Sequence, residues 1–160
     1  MSYPAMRTVA ACVPSPFVLA LLRAWHGVPA GAYHATTAEG LMRASNPSAL
    51  IAEDGANVVM IEDVTDPDQR MYRLEYRATP DGRRAIAYCL FNPWGGVGNP
   101  SAGSVYEVSH VGADGLICVG VGTTHDLANS PFSLAFVLAR ARFWCTAFSV
   151  FRETGAFPSV

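Results

Sequence analysis

Hydrophobic positions change their rhythm along this chain. The early segments carry helical spacing, the middle alternates, and the last third holds a long apolar run. Residues 17–26 (FVLALLRAWH) predict a short amphipathic helix, with Ser15-Pro16 as cap and first helical residue and Gly27 and Pro29 as its stop. A second short helix is predicted over 37–44. Thr36 and Glu39 stand at capping-box spacing there, and Asn46-Pro47 ends it.

From residue 57 the pattern is that of a sheet. Residues 57–63 (NVVMIED) are rich in β-branched side chains, and Asp66-Pro67-Asp68 reads as a turn. Residues 70–78 alternate strictly: Met71, Arg73, Glu75 and Arg77 on one side, Tyr72, Leu74 and Tyr76 on the other. That is a half-buried strand. Thr79-Pro80-Asp81-Gly82 is a turn, and 84–91 forms the next strand. Consecutive strands joined by short turns predict an antiparallel meander. Residues 92–103 (NPWGGVGNPSAG) are too dense in Gly and Pro for a regular element. A fourth strand is expected at 104–110 and another extended piece at 116–121, followed by a loop over 122–130. Ser130-Pro131 then reads as cap and first position of a helix of about six turns over 132–153. That helix is apolar on nearly every face, through Leu134, Phe136, Val137, Leu138, Phe143, Trp144, Phe148, Val150 and Phe151, so it is buried or covered by a partner. Gly155 and Pro158 end it. The expected class is α+β, in one domain over 1–160.

Composition narrows the function. With 51% apolar and 15% charged residues the chain can build a core, and a net charge of -2 leaves no basic footprint for nucleic acid. Residues 1–12 lack a charged region followed by an apolar one. The stretch 17–24 is broken by Arg23 and is too short to span a bilayer, so a cytoplasmic protein with no membrane partner is expected. Cys12, Cys89, Cys118 and Cys145 are widely spaced and read as free thiols; with no CxxC pair and no close pair of His, neither a zinc site nor another cofactor is expected. All eleven basic residues are Arg. Codon bias in a GC-rich genome explains that, and so does an enzyme that handles an activated acyl group and keeps no amine of its own to modify.

The segment that carries chemistry is 110–120 (HVGADGLICVG). Gly112 and Asp114-Gly115 make a turn, a cysteine follows it, and a histidine lies eight residues before the cysteine. Here the chain resembles the ubiquitin-conjugating (E2) enzymes. Their motif runs His-Pro-Asn, Ile, three variable residues, Gly, one variable residue, Ile and the catalytic Cys. His110 takes the Asn place and Val111 the Ile place; Gly112, Ala113 and Asp114 are the variable residues; Gly115, Ile117 and Cys118 follow in register. Ser109 stands where the family has Pro. The specific match covers about a dozen positions, while the order of elements matches over most of the chain.

The resemblance implies a UBC-like fold: an N-terminal helix, a four-stranded antiparallel meander, an active-site loop segment and a long C-terminal helix. It implies an E2-type transferase that accepts a ubiquitin-like modifier from an E1-like adenylating enzyme as a Cys118 thioester and passes it to a target protein. His in the Asn place is similar to bacterial E2-like families, which are encoded beside an E1-like enzyme and a modifier, some in defence against phage. By the same analogy, His110 stabilises the oxyanion, orders the loop or acts as a base. Asp114, His125 and Asp126 are possible supporting residues; their ordinary roles are a turn for Asp114 and a solvated loop for the other two. Trp94, Cys89 and Cys145 read as packing residues. The family's basic face on the first helix is missing, because Arg23 is its only charge. Competing readings are a non-catalytic E2-like module, a cysteine hydrolase using Cys118 with His110 or His125, and a structural subunit docked through the last helix.

Overall fold

The computed structural model describes residues 37–95 and 109–158. The helix expected over 17–26, Cys12 and most of the Gly-rich loop lie outside the described residues. Within them the order is helix α1 (Ala38–Ser45), strands β1 (Leu50–Asp54), β2 (Asn57–Thr65), β3 (Met71–Ala78) and β4 (Ala85–Phe91), a 3-10 turn at Leu127–Asn129, and helix α2 (Leu134–Thr154). The four strands form one antiparallel sheet in the order β1-β2-β3-β4. This is an α+β architecture with a meander and a long final helix.

The alternation in β3 does what its pattern demands. Tyr72, Leu74, Tyr76 and Ala78 are buried, and their neighbours face out. In β2 the buried set is Val58, Met60, Glu62 and Val64. These two rows meet α2, whose Trp144 sits edge-on to Tyr72 at 5.9 Å between ring centroids. Each large side chain fully buried in this layer contributes roughly 1.5–3 kcal/mol. The apolar character of α2 on nearly every face follows from its place: most of its residues are buried against the sheet and the loops beside it.

Three expectations are corrected. The fourth strand lies at the other end of the meander: β1 precedes β2 across a two-residue turn whose Gly55 has φ 63°. Residues 104–108 lie outside the described residues, and Ser109 and His110 belong to no strand, because His110 takes φ 55° and breaks the extended chain. The cap of α1 is Thr37, which accepts from the Gly40 amide at 3.1 Å, while Glu39 pairs with Arg43 one turn on. The cap of α2 is Ser133, three residues later than expected. Ser130 is held elsewhere: its hydroxyl donates to the Ala85 carbonyl at 2.7 Å, and Ala85 N–H donates to the Phe132 carbonyl at 2.8 Å. Those bonds tie 130–132 to the start of β4 and keep it out of the helix.

Among the described residues α2 alone is long and apolar enough to cross a membrane, and 83% of that stretch is buried in the protein.

Candidate active site

The chain from Ser109 to Gly120 is fastened to the free edge of the sheet. Cys89 N–H donates to the Gly115 carbonyl at 2.8 Å and Ile117 N–H to the Ala87 carbonyl at 2.9 Å, so 115–117 runs along the outer side of β4. The piece expected to be extended at 116–121 is therefore realised as a short addition to that edge, with bridges from Leu116 to Tyr88 and from Ile117 to Val111. The turn closes through Gly115 N–H to the Gly112 carbonyl (3.0 Å) and Gly112 N–H to the Leu116 carbonyl (2.9 Å), with Gly115 at φ 92°. Asp114 accepts from the Leu116 amide at 3.2 Å, which is the turn role expected of it.

This turn sets His110 and Cys118 across from each other on the two arms of the ribbon. Cys118 N–H donates to the His110 carbonyl at 2.9 Å. Cys118 is half-buried; its thiol points along the chain to the Gly120 carbonyl at 3.8 Å. The His110 ring packs on Phe157, with centroids 4.4 Å apart. Beyond the cysteine, Thr123 Oγ1 accepts from the Val119 and Gly120 amides at 3.2 and 3.3 Å and donates to the Gly120 carbonyl at 2.7 Å. Thr123 thus fixes the path of the chain leaving Cys118.

His125 and Asp114 do meet, with Nδ1 3.1 Å from Oδ2, as an exposed pair at the rim. Asp126 faces its own loop: its oxygens accept from the Ala128 amide at 3.0 Å and the Asn129 side chain at 2.6 Å, capping the 3-10 turn. Cys89 and Cys145 are buried in the core, and burial pushes the Cys145 thiol well above its ordinary value. Trp94 packs against the core under the guanidinium of Arg70, 5.0 Å from its ring centre, as a packing residue should. Among the described residues no group of three or more His, Cys, Asp or Glu is placed to hold a metal ion.

Two residues of α2 complete the floor of the site, and the reading from sequence missed both. Trp144 Nε1 donates to the Ser109 carbonyl at 3.0 Å. Arg140, one turn earlier on the same face, is 2% exposed. Burial pushes its guanidinium below the usual range, and the charge of an ionised Cys118 pulls it back up. The signal for both was the i, i+4, i+8 spacing of Phe136, Arg140 and Trp144 on one helix face.

The fold and site define an α+β domain with a half-buried cysteine on a turn at the sheet edge. The chain matches no protein-family model, no curated protein and no solved structure.

Proposed function

We propose that this protein is an E2-type carrier with a UBC-like fold. Cys118 accepts the C-terminal acyl group of a ubiquitin-like modifier from an E1-like adenylating enzyme and hands it to an acceptor on a target protein. The observation that carries the reading is the turn of 111–117. It places a half-buried Cys118 opposite His110, on a ribbon hydrogen-bonded to the outer strand of a four-stranded meander. That combines the motif spacing with a cysteine that is only partly buried, while Cys89 and Cys145 are closed off in the core. The absence of lysine from the chain suits a protein that carries an activated acyl group.

The chemistry needs little else from the protein. The Cys118 thiolate attacks the modifier's thioester carbonyl, and the carbon–oxygen π pair moves onto oxygen. The intermediate collapses as the bond to the E1 sulfur breaks, and that sulfur leaves as thiolate. Transfer to an amine repeats the sequence, with Cys118 as leaving group and the amine losing its proton to a base or to water. A role in a bacterial conjugation system, including one directed against phage, follows from the resemblance and is part of the same proposal.

The test is a thioester assay with ATP and an E1-like enzyme and ubiquitin-like modifier sought among the genes beside this one, read on reducing and non-reducing gels. A reducible adduct of one modifier on the wild type, absent in Cys118→Ala, is the expected result. A charged E1 that yields no adduct on the wild type ends the carrier reading.

A further inference from the structure

Buried arginines normally find partners, because a guanidinium offers five N–H donors and each buried donor left unmet costs free energy. Arg140 departs from that rule. Its Nε and Nη2 are buried and have no hydrogen-bond partner among the described residues. A ring face lies beside it, with Cζ 5.7 Å from the centre of Phe136.

The helix places this unmet cation under the candidate site. At one end of the face, Phe136 stacks on Phe132 at 5.1 Å, and the Phe132 ring presses on Gly120 so closely that a Cβ there would come within 3.1 Å of it. At the other end, Trp144 is bonded to the Ser109 carbonyl. Arg140 lies midway between Phe136 and Trp144 on α2 and so on the helix face that packs under the open end of the ribbon, where Ser109 and Gly120 flank the His110–Cys118 pair. It is near enough to Cys118 for the charge of an ionised thiol to act on the guanidinium.

We propose that Arg140 is the anion-binding residue of the Cys118 centre, donating its unmet N–H groups first to the thiolate and then to the carbonyl oxygen of the incoming acyl group as that oxygen becomes negative. This deepens the carrier reading and rests on it for the identity of the acyl group; the anion site itself rests only on the geometry of α2 and the ribbon. A fixed cation in a dry site is worth more to a developing oxyanion than the same cation in water, because it needs no reorganisation when the charge appears. In this arrangement the oxyanion donor comes from the final helix, and His110 is left to order the turn or to accept a proton from the attacking amine.

The experiment uses the full chain and two small electrophiles that differ in charge. Iodoacetamide is neutral and iodoacetate is an anion; both alkylate a thiolate by the same displacement of iodide. Rates at Cys118 are read by peptide mapping for the wild type, Arg140→Met and Arg140→Lys, with 2-mercaptoethanol, which carries no charge besides its thiolate, as the reference for the rate ratio. The wild-type ratio of iodoacetate to iodoacetamide should exceed that of 2-mercaptoethanol by about threefold or more, fall to it in Arg140→Met, and be largely restored in Arg140→Lys. A ratio equal to that of 2-mercaptoethanol in the wild type overturns the assignment, even if neither variant folds. So does a ratio unchanged in a folded Arg140→Met. None of these readings involves an E1 or a modifier, so the Arg140 assignment and the carrier reading fail separately.

Discussion

Arg140 and Arg142 stand two residues apart on α2, both almost wholly buried, in opposite surroundings. Arg142 is 1% exposed on its side chain and clamps Glu62 with two bonds of 2.7 Å, from Nε and Nη2. Glu62 in turn accepts from Tyr76 Oη and from the Asn46 side chain, each at 2.8 Å. The charge is matched, and the match fastens α2 to the second and third strands and to the end of α1. Arg140 has no such match among the described residues. A neutralised buried ion pair is architecture, whereas an unneutralised buried cation is capacity for an anion that comes and goes. Two residues of helix, 200° of rotation, separate the one use from the other.

The largest effect should come from cutting the matched pair. Arg142→Met leaves Glu62 buried without its counter-charge and should cost about 3–5 kcal/mol in urea unfolding. Acid makes the same cut more gently. Burial raises the Glu62 pKa, but the Arg142 charge and the bonds from Arg142, Asn46 and Tyr76 outweigh it, so the folded value lies below the unfolded value near 4.5. Its contribution to stability is therefore complete above that pH and is lost as pH falls through the lower folded value. Unfolding midpoints measured from pH 7 down to pH 3 should drop in the wild type and change less in Glu62→Gln. The smallest effect on stability should come from Arg140→Met. Removing an unpartnered buried cation in favour of an apolar chain of similar volume should leave the unfolding free energy unchanged or raise it by about 1 kcal/mol. If Arg140→Met costs as much as Arg142→Met, the two arginines do not differ as described.

The same contrast explains what was legible in the chain. Strand β3 announced itself because one face is wet and the other dry, and Tyr72, Leu74 and Tyr76 recur at every second position. Strand β1 did not, because it lies at the open edge of the sheet with little of it buried; Leu50 is 73% exposed, and Glu53 and Asp54 follow it. The long apolar helix was plain, but its first residue was not, since Ser130-Pro131 has the composition of a cap and is held instead by the backbone of β4. His110, Cys118 and the Asp114-Gly115 turn were legible because their relation is local. Asp126 read as a neighbour of the site and proved to serve its own turn, through bonds spanning two and three residues. Arg140 was illegible for the opposite reason: a charge in a helix ordinarily points to water, and only the packing of α2 against the ribbon turns this one inward.

The left-handed backbone at His110 has a consequence for what this position can become. At φ 55° a side chain branched at Cβ is strained, whereas Gly, Asn, Asp and His enter with little penalty. The polypeptide thus acts as a filter on chemistry. It admits an amide, a carboxylate or an imidazole at the residue across the ribbon from Cys118 and turns away the β-branched alternatives, so the functional group there is free to drift among three kinds of polar reagent while the loop that presents it stays the same shape.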